Sequence, residues 1–169
     1  GGMYLRAISI YLRIPVMRFS ICARKSCVEN SKAGKQEQTN FESLKKQAEQ
    51  TMQQREKELS ELASKLQDAD YLDSLSKEAE ADLKHKYRTM SQELMQQQQQ
   101  LYQTLSQANF KIIQKLTEEV NKAAKVVAEK NGLDVVVNEE ACFYFSSKLD
   151  VSNLIVQELD AAFEKEAKK

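Results

Sequence analysis

From Lys35 to Lys130 the chain contains neither glycine nor proline. A stretch of that length without the residues that make tight turns cannot fold back and forth into a layered domain. Its composition is mainly Glu, Gln, Lys, Leu, Ala, Ser and Met, most of them strong helix formers. Phe41, Leu44, Ala48, Met52, Leu59, Leu62 and Leu66 recur at steps of three, four and seven and so share one helix face, with Arg55 inside the stripe. Thr39 and Glu42 have capping-box spacing, which predicts the helix start there, after a boundary or kink near Gly34. Asp68, Asp70, Tyr71, Asp73, Ser74 and Ser76 then replace the pattern with cap and turn residues, so the chain must reverse. Ser76 can cap a second helix, which resumes the stripe at Leu83, Tyr87, Met90, Leu94, Leu101, Leu105, Ala108, Ile112, Leu116, Val120, Ala123 and Val127. The pattern predicts an antiparallel helical hairpin over 35–130, on the order of 50 Å long and too thinly packed to be rigid.

The flanks read differently. Phe19 to Ala23 is a short apolar run ending in polar Arg24, Lys25 and Ser26, and reads as a strand. Asn131 and Gly132 make a left-handed helix stop. Leu133 to Val137 reads as a second strand, Asn138 to Glu140 as a tight turn and Ala141 to Phe145 as a third strand. Asp150 or Ser152 then caps a last helix with Leu154, Ile155, Leu159, Ala162 and Phe163 on its apolar face. The fold class is therefore α+β, mainly α: a long antiparallel helical-hairpin (coiled-coil) arm at 35–130 on a small β-strand body at 19–34 and 131–169. Residues 1–18 form an extension without acidic residues, whose three arginines interrupt the apolar run expected of a signal peptide. It reads as a degenerate targeting segment or an amphipathic surface stretch.

Three short strands and one helix bury too little to hold such an arm. Val135, Val136 and Val137, and likewise Phe143, Tyr144 and Phe145, are apolar on both faces of their strands, and a run of this kind expects cover on both sides; with Phe19 and Ile21 they are the candidate oligomerisation residues. The simplest cover is another subunit, with strands joined into a closed barrel without edges; the blander one is the last helix alone.

Few residues suggest chemistry. His85 is the one histidine, flanked by lysines on the second helix, and reads as a solvated side chain. Asp68, Asp70 and Asp73 lack the glycine and the closing glutamate of a calcium loop and read as caps. Lys84, Lys86 and Arg88 could meet a phosphate or lipid head group, but Glu78, Glu80 and Asp82 one turn away favour an ion-pair face. Cys22, Cys27 and Cys142 have no metal-ligand spacing, and a disulfide between Cys22 and Cys142 is open beside simple burial. With no nucleophile paired to a base, no metal cluster and no phosphate loop, the expectation is a binding protein without cofactor or metal, not an enzyme. The 25 basic and 25 acidic residues leave a formal net charge of zero and no field to draw in nucleic acid.

The glutamine run Gln96 to Gln100, with Gln92, Gln103 and Gln107, keeps Leu94, Leu101 and Leu105 in the stripe. It therefore reads as an uncharged helix face, weakly selective toward a client chain. Met95 and Tyr102 lie off the stripe, and Tyr71, Leu72 and Leu75 sit at the hairpin tip, so these five are the candidate client contacts.

The segment from Phe19 to Lys35 resembles the opening of the Skp/OmpH family, in which a strand runs into a short helix and an S-x-x-G-K-like element. The uninterrupted hairpin, Asn131-Gly-Leu-Asp-Val-Val-Val-Asn, Phe143-Tyr144-Phe145 and Asp150-Val-Ser follow in the family's order, so the resemblance covers 19–165. It implies a soluble periplasmic holdase: a homotrimer with a β-barrel body and helical arms around a cavity, binding unfolded outer membrane proteins without ATP, with weak contact to a membrane surface or lipopolysaccharide. A structural coiled-coil scaffold with one specific partner is the alternative from a different class. It would have two chains where the family predicts three.

Overall fold

The computed structural model describes residues 16–169, so the predicted extension 1–18 lies outside the described residues up to position 15. The elements run β1 (Phe19–Cys22), α1 (Arg24–Asn30), α2 (Lys32–Gln67), α3 (Ala69–Asp73), α4 (Lys77–Asn131), β2 (Val135–Asn138), two short 3-10 turns at Glu139–Ala141 and Ser147–Leu149, and α5 (Ser152–Ala167). The chain divides into two compact units, one made of residues up to Gln38 together with Ile112–Lys169, the other of Thr39–Lys111.

The second unit is the hairpin. Asp68 caps α3 by accepting the Tyr71 N–H at 3.2 Å, and Ser76 caps α4 by accepting the Ala79 N–H at 3.1 Å. The two hydroxyl and carboxylate caps are what turn the chain. Across the pair of long helices the Gln98 amide donates to Glu56 at 3.3 Å, a pairing centred on residue 77, where α4 begins. Two helices meeting along one seam cover only one side of each stripe residue. Of the large apolar side chains in this unit Leu62 is buried, whereas Met52, Leu59, Leu66, Leu83, Tyr87, Met90 and Leu94 are half-exposed.

The first unit holds the core. Cys22, Cys27, Val120, Ala123, Val127, Ile155 and Leu159 pack together, with Val28, Leu133, Val136, Val151 and Val156 against them. The last turns of α4 thus serve as a wall of the body. Gly132 stops α4 with φ +64°, and the Leu133 N–H returns to the Ala128 carbonyl at 2.9 Å, which satisfies a carbonyl the helix would leave open. The chain then enters β2, parallel to β1 with Phe19 opposite Val135 and Cys22 opposite Asn138. On the far side of the sheet Ile21 bridges to Asp150, its carbonyl accepting the Val151 N–H at 2.9 Å. Asp150 in turn accepts from the Ser152 N–H at 2.9 Å, just ahead of α5.

Three local expectations are corrected. Residues 141–145 are not a strand paired by a tight turn to 133–137: the sheet is two-stranded and parallel, and Glu139–Ala141 is a 3-10 turn. Phe-Tyr-Phe has β propensity, but a strand needs a ladder, and among the described residues no segment of the chain supplies one there. Second, Thr39 does not start the long helix, which already begins at Lys32. Ser31 caps it: its side-chain oxygen accepts the Gly34 N–H at 3.0 Å and donates to the Val28 carbonyl at 2.9 Å. Third, Arg24 to Ser26 open the short helix α1 instead of only ending a strand, as the family resemblance implies.

Candidate binding surfaces

On the hairpin, the feature that separates α4 from the rest of this heavily charged chain is the span from Leu94 to Phe110, which contains no ionisable Lys, Arg, Asp, Glu or His. Met95 is 62% exposed, Tyr102 77% and Phe110 66%. At roughly 100° per residue these three fall within about 80° of one another around the helix, to one side of the seam stripe. Gln92, Gln99 and Ser106 share that sector, so the surface alternates large apolar groups with neutral hydrogen-bonding ones. Phe110 was not among the sequence-level candidates. Its angular position relative to Met95 and Tyr102 is the signal that could have found it, and it shows only when residues off the seam are plotted as a second stripe.

The tip candidates are less open. Tyr71, Leu72 and Leu75 are all half-buried, and the Lys65 ammonium sits 5.9 Å from the centre of the Tyr71 ring. The nearby basic group is partly neutralised, since Lys84 pairs with Glu80 at 3.2 Å one turn back. Uncharged α4 surface, not basic patches, is what this unit offers.

In the body, Phe143 and Tyr144 stand almost completely out in solvent, and Phe19 is 49% exposed. Two adjacent aromatic rings presented in this way form an apolar patch of the kind that other protein surfaces cover. Phe145 and the three valines of β2 are half-buried, with Val136 turned onto the core. Ile21 behaves otherwise than a contact residue for a second chain. It is 5% exposed, its side chain consumed by the body's own packing.

The packing of the body is braced by polar contacts between α5 and the long helices and by one between the two long helices. The Lys32 N–H, at the opening of α2, donates to Asp160 at 2.8 Å, and the Lys32 ammonium pairs with Glu164. Lys130 pairs with Glu158 at 2.5 Å and Lys115 with Glu37 at 3.2 Å. The hydrogen bond and charge of Glu164 raise the Lys32 pKa above its ordinary value, and Lys32 holds the Glu164 carboxyl below its own. Lys115 is raised by Glu37 in the same way. Between these braces lies a groove of about 700 Å³ lined by Leu116, Ala123, Leu159 and Phe163 together with Lys122 and Glu166.

Of the two readings left open for the cysteines, burial holds for Cys22 and Cys27: all three cysteines are free thiols, and the sulfur that Cys22 meets is that of Cys27, at 3.4 Å. Among the described residues no three His, Cys, Asp or Glu side chains gather as a metal site, and no helix is long and apolar enough to cross a membrane.

Residues 20–159 match the family model described as outer membrane protein (OmpH-like). The chain is 35% identical over 162 residues to the Skp-like protein of Chlamydia muridarum (strain MoPn / Nigg), covering 96% of this chain and 94% of that one. It is 38% identical over 142 residues to the Skp-like protein of Chlamydia pneumoniae, covering 84% and 83% respectively. Its fold superposes with a TM-score of 0.79 on a crystal structure from Caulobacter crescentus CB15 described as an outer membrane chaperone (OmpH-like), at 16% identity over 88% of this chain and 86% of that one. The family model's match to residues 20–159, together with 35% and 38% identity to the Skp-like proteins over most of the chain, places the protein in the OmpH-like outer membrane protein family.

Proposed function

We propose that the protein is an ATP-independent holdase chaperone of the periplasm that binds unfolded outer membrane proteins and prevents their aggregation. The observation that carries this reading is the uncharged surface of α4 from Leu94 to Phe110, with Met95, Tyr102 and Phe110 exposed among glutamines. Such a surface has no fixed charge pattern to match, so it discriminates little between unfolded chains, and flexible methionine adapts to varied partners. Each contact is weak, and affinity comes from many contacts made together. Met95 and Tyr102 are the client contacts of the arm and Tyr71, Leu72 and Leu75 those of its tip, with 35–130 acting as the arm, its last turns on α4 shared with the body of 19–34 and 131–169.

The arms work as a set if the bodies assemble. The uncovered Phe143 and Tyr144, with Phe19, Phe145 and Val135 to Val137 behind them, support a homotrimer in which strands of neighbouring subunits complete a barrel and the arms enclose a cavity. In that assembly residues 141–145 gain the ladder that a single chain lacks. With Lys84 paired to Glu80 and no net charge, contact with a membrane surface or lipopolysaccharide is the weakest of these partnerships.

The test is the aggregation of an unfolded β-barrel membrane protein diluted from denaturant, with and without a stoichiometric amount of the full chain and with no nucleotide present. Suppressed light scattering is expected; equal scattering in both arms would overturn the proposal. Mass in solution separates the assembled chaperone, with three chains, from a coiled-coil scaffold with two.

A further inference from the structure

Cys22 ends β1 and Cys27 lies in the second turn of α1, and their sulfurs approach to 3.4 Å inside the body's core. Both side chains are buried, Cys27 completely, beneath Ile155 and Leu159 of α5 and beside Val120 and Val127 of α4. The backbone that joins them is pinned. The Cys27 N–H donates to the Ala23 carbonyl at 2.9 Å, the Ala23 N–H donates to the Ser152 hydroxyl at 2.9 Å, and the Cys27 thiol points at the Ser152 carbonyl at 3.6 Å. An S–S bond is about 2.05 Å long, so the sulfurs must close by roughly 1.4 Å, a distance within the reach of side-chain rotation.

We propose that Cys22 and Cys27 are an oxidisable dithiol that closes an intrachain disulfide on exchange with a disulfide-bearing oxidant, glutathione disulfide or an oxidoreductase disulfide, stapling β1 to α1 and leaving Cys142 free. The Cys27 thiolate attacks one oxidant sulfur, which breaks the oxidant's S–S bond and releases a thiolate that takes up the proton Cys27 gave up. The Cys22 thiolate then attacks the Cys27 sulfur of the mixed disulfide, and the second oxidant thiol leaves with the Cys22 proton. Two electrons pass to the oxidant and the protein loses two hydrogens. In the closed core the hydrogen bond from Cys22 lowers the Cys27 thiol below its ordinary pKa, while the same contact and burial push Cys22 up. With α5 over both sulfurs, exchange belongs to the folding or locally opened chain. The inference is independent of the chaperone reading.

To test it, the full chain is reduced, unfolded and refolded in a buffer of reduced and oxidised glutathione, then quenched with an alkylating agent. The expected product is a chain lighter by two hydrogens that takes up one alkyl group, on Cys142. Cleavage after Arg24 or Lys25 should leave the Cys22 and Cys27 peptides joined until a reductant is added. Cys142→Ser should lose the same two hydrogens and take up no alkyl group, and Cys22→Ser should be alkylated at both remaining cysteines. Three alkylated cysteines in the refolded chain, or a pairing that involves Cys142, would overturn the assignment.

Discussion

The carbonyl oxygen of Val28 lies 1.8 Å from the point where a Cβ on Gly34 would sit. Gly34 is thus the residue that lets α1 and α2 meet at the Ser31 corner, through close approach of backbone to backbone. Because the obstacle is backbone and not the end of a flexible side chain, it cannot step aside. Gly34→Ala is expected to destabilise the body by more than about 2 kcal/mol, read as a lowered urea midpoint with an unchanged transition slope.

Asp160 accepts the exposed Lys32 N–H at 2.8 Å, so a side chain from α5 does at α2 what a local cap would do. Asp160→Ala should lower stability by about 1 kcal/mol, as loss of a cap does, while Asp160→Asn, which keeps an acceptor oxygen, should recover most of it. Equal losses in the two variants, measured by chemical denaturation, would count against the capping role.

The Lys32–Glu164 pair carries a definite pH signature. Glu164 is held below its ordinary range, so its contribution is complete above the unfolded carboxylate value and disappears as pH falls through its own lowered value. Lys32 is raised, so on the alkaline side the contribution is complete below the unfolded lysine value and is lost as pH rises through the raised one. Glu164→Gln should therefore show a lower urea midpoint than the parent at neutral pH, and the two curves should converge in acid. The difference will be small, because both side chains are about half exposed.

Substituting Met95, Tyr102 and Phe110 together by serine removes apolar surface that the folded chain leaves in solvent. Thermal stability should move within about 0.5 kcal/mol, as for other surface changes, while protection of an aggregating client falls severalfold. A single substitution should do far less than the triple, since many weak contacts act together.

Phe143→Ser with Tyr144→Ser should shift the mass in solution toward the single chain without loss of helix content by circular dichroism. Unchanged mass would show that the two exposed rings are not where subunits join.

The antiparallel hairpin, its reversal between Asp68 and Ser76 and the stop at Gly132 were legible in the order of residues, because caps, turn residues and apolar periodicity act within a few positions of one another. The start of α2 was not. The Ser31 cap on the Gly34 N–H is as local as the Asp68 cap, but Gly34 itself reads as a helix breaker, and it is required there by the nearness of the Val28 carbonyl. The strand expected at 141–145 failed for a related reason: β propensity says that Phe143 to Phe145 could join a sheet, but pairing is a property of a neighbour, not of the segment. Likewise the strand that ends at Cys22 is legible in the sequence, yet the sulfur it touches, five residues away across a corner, is set by tertiary packing. What local patterning determined by itself is the helical arm and its turns; which strand pairs with which, which glycine is steric and which cysteines touch were decided by the fold, because those depend on distances between segments that no local pattern encodes.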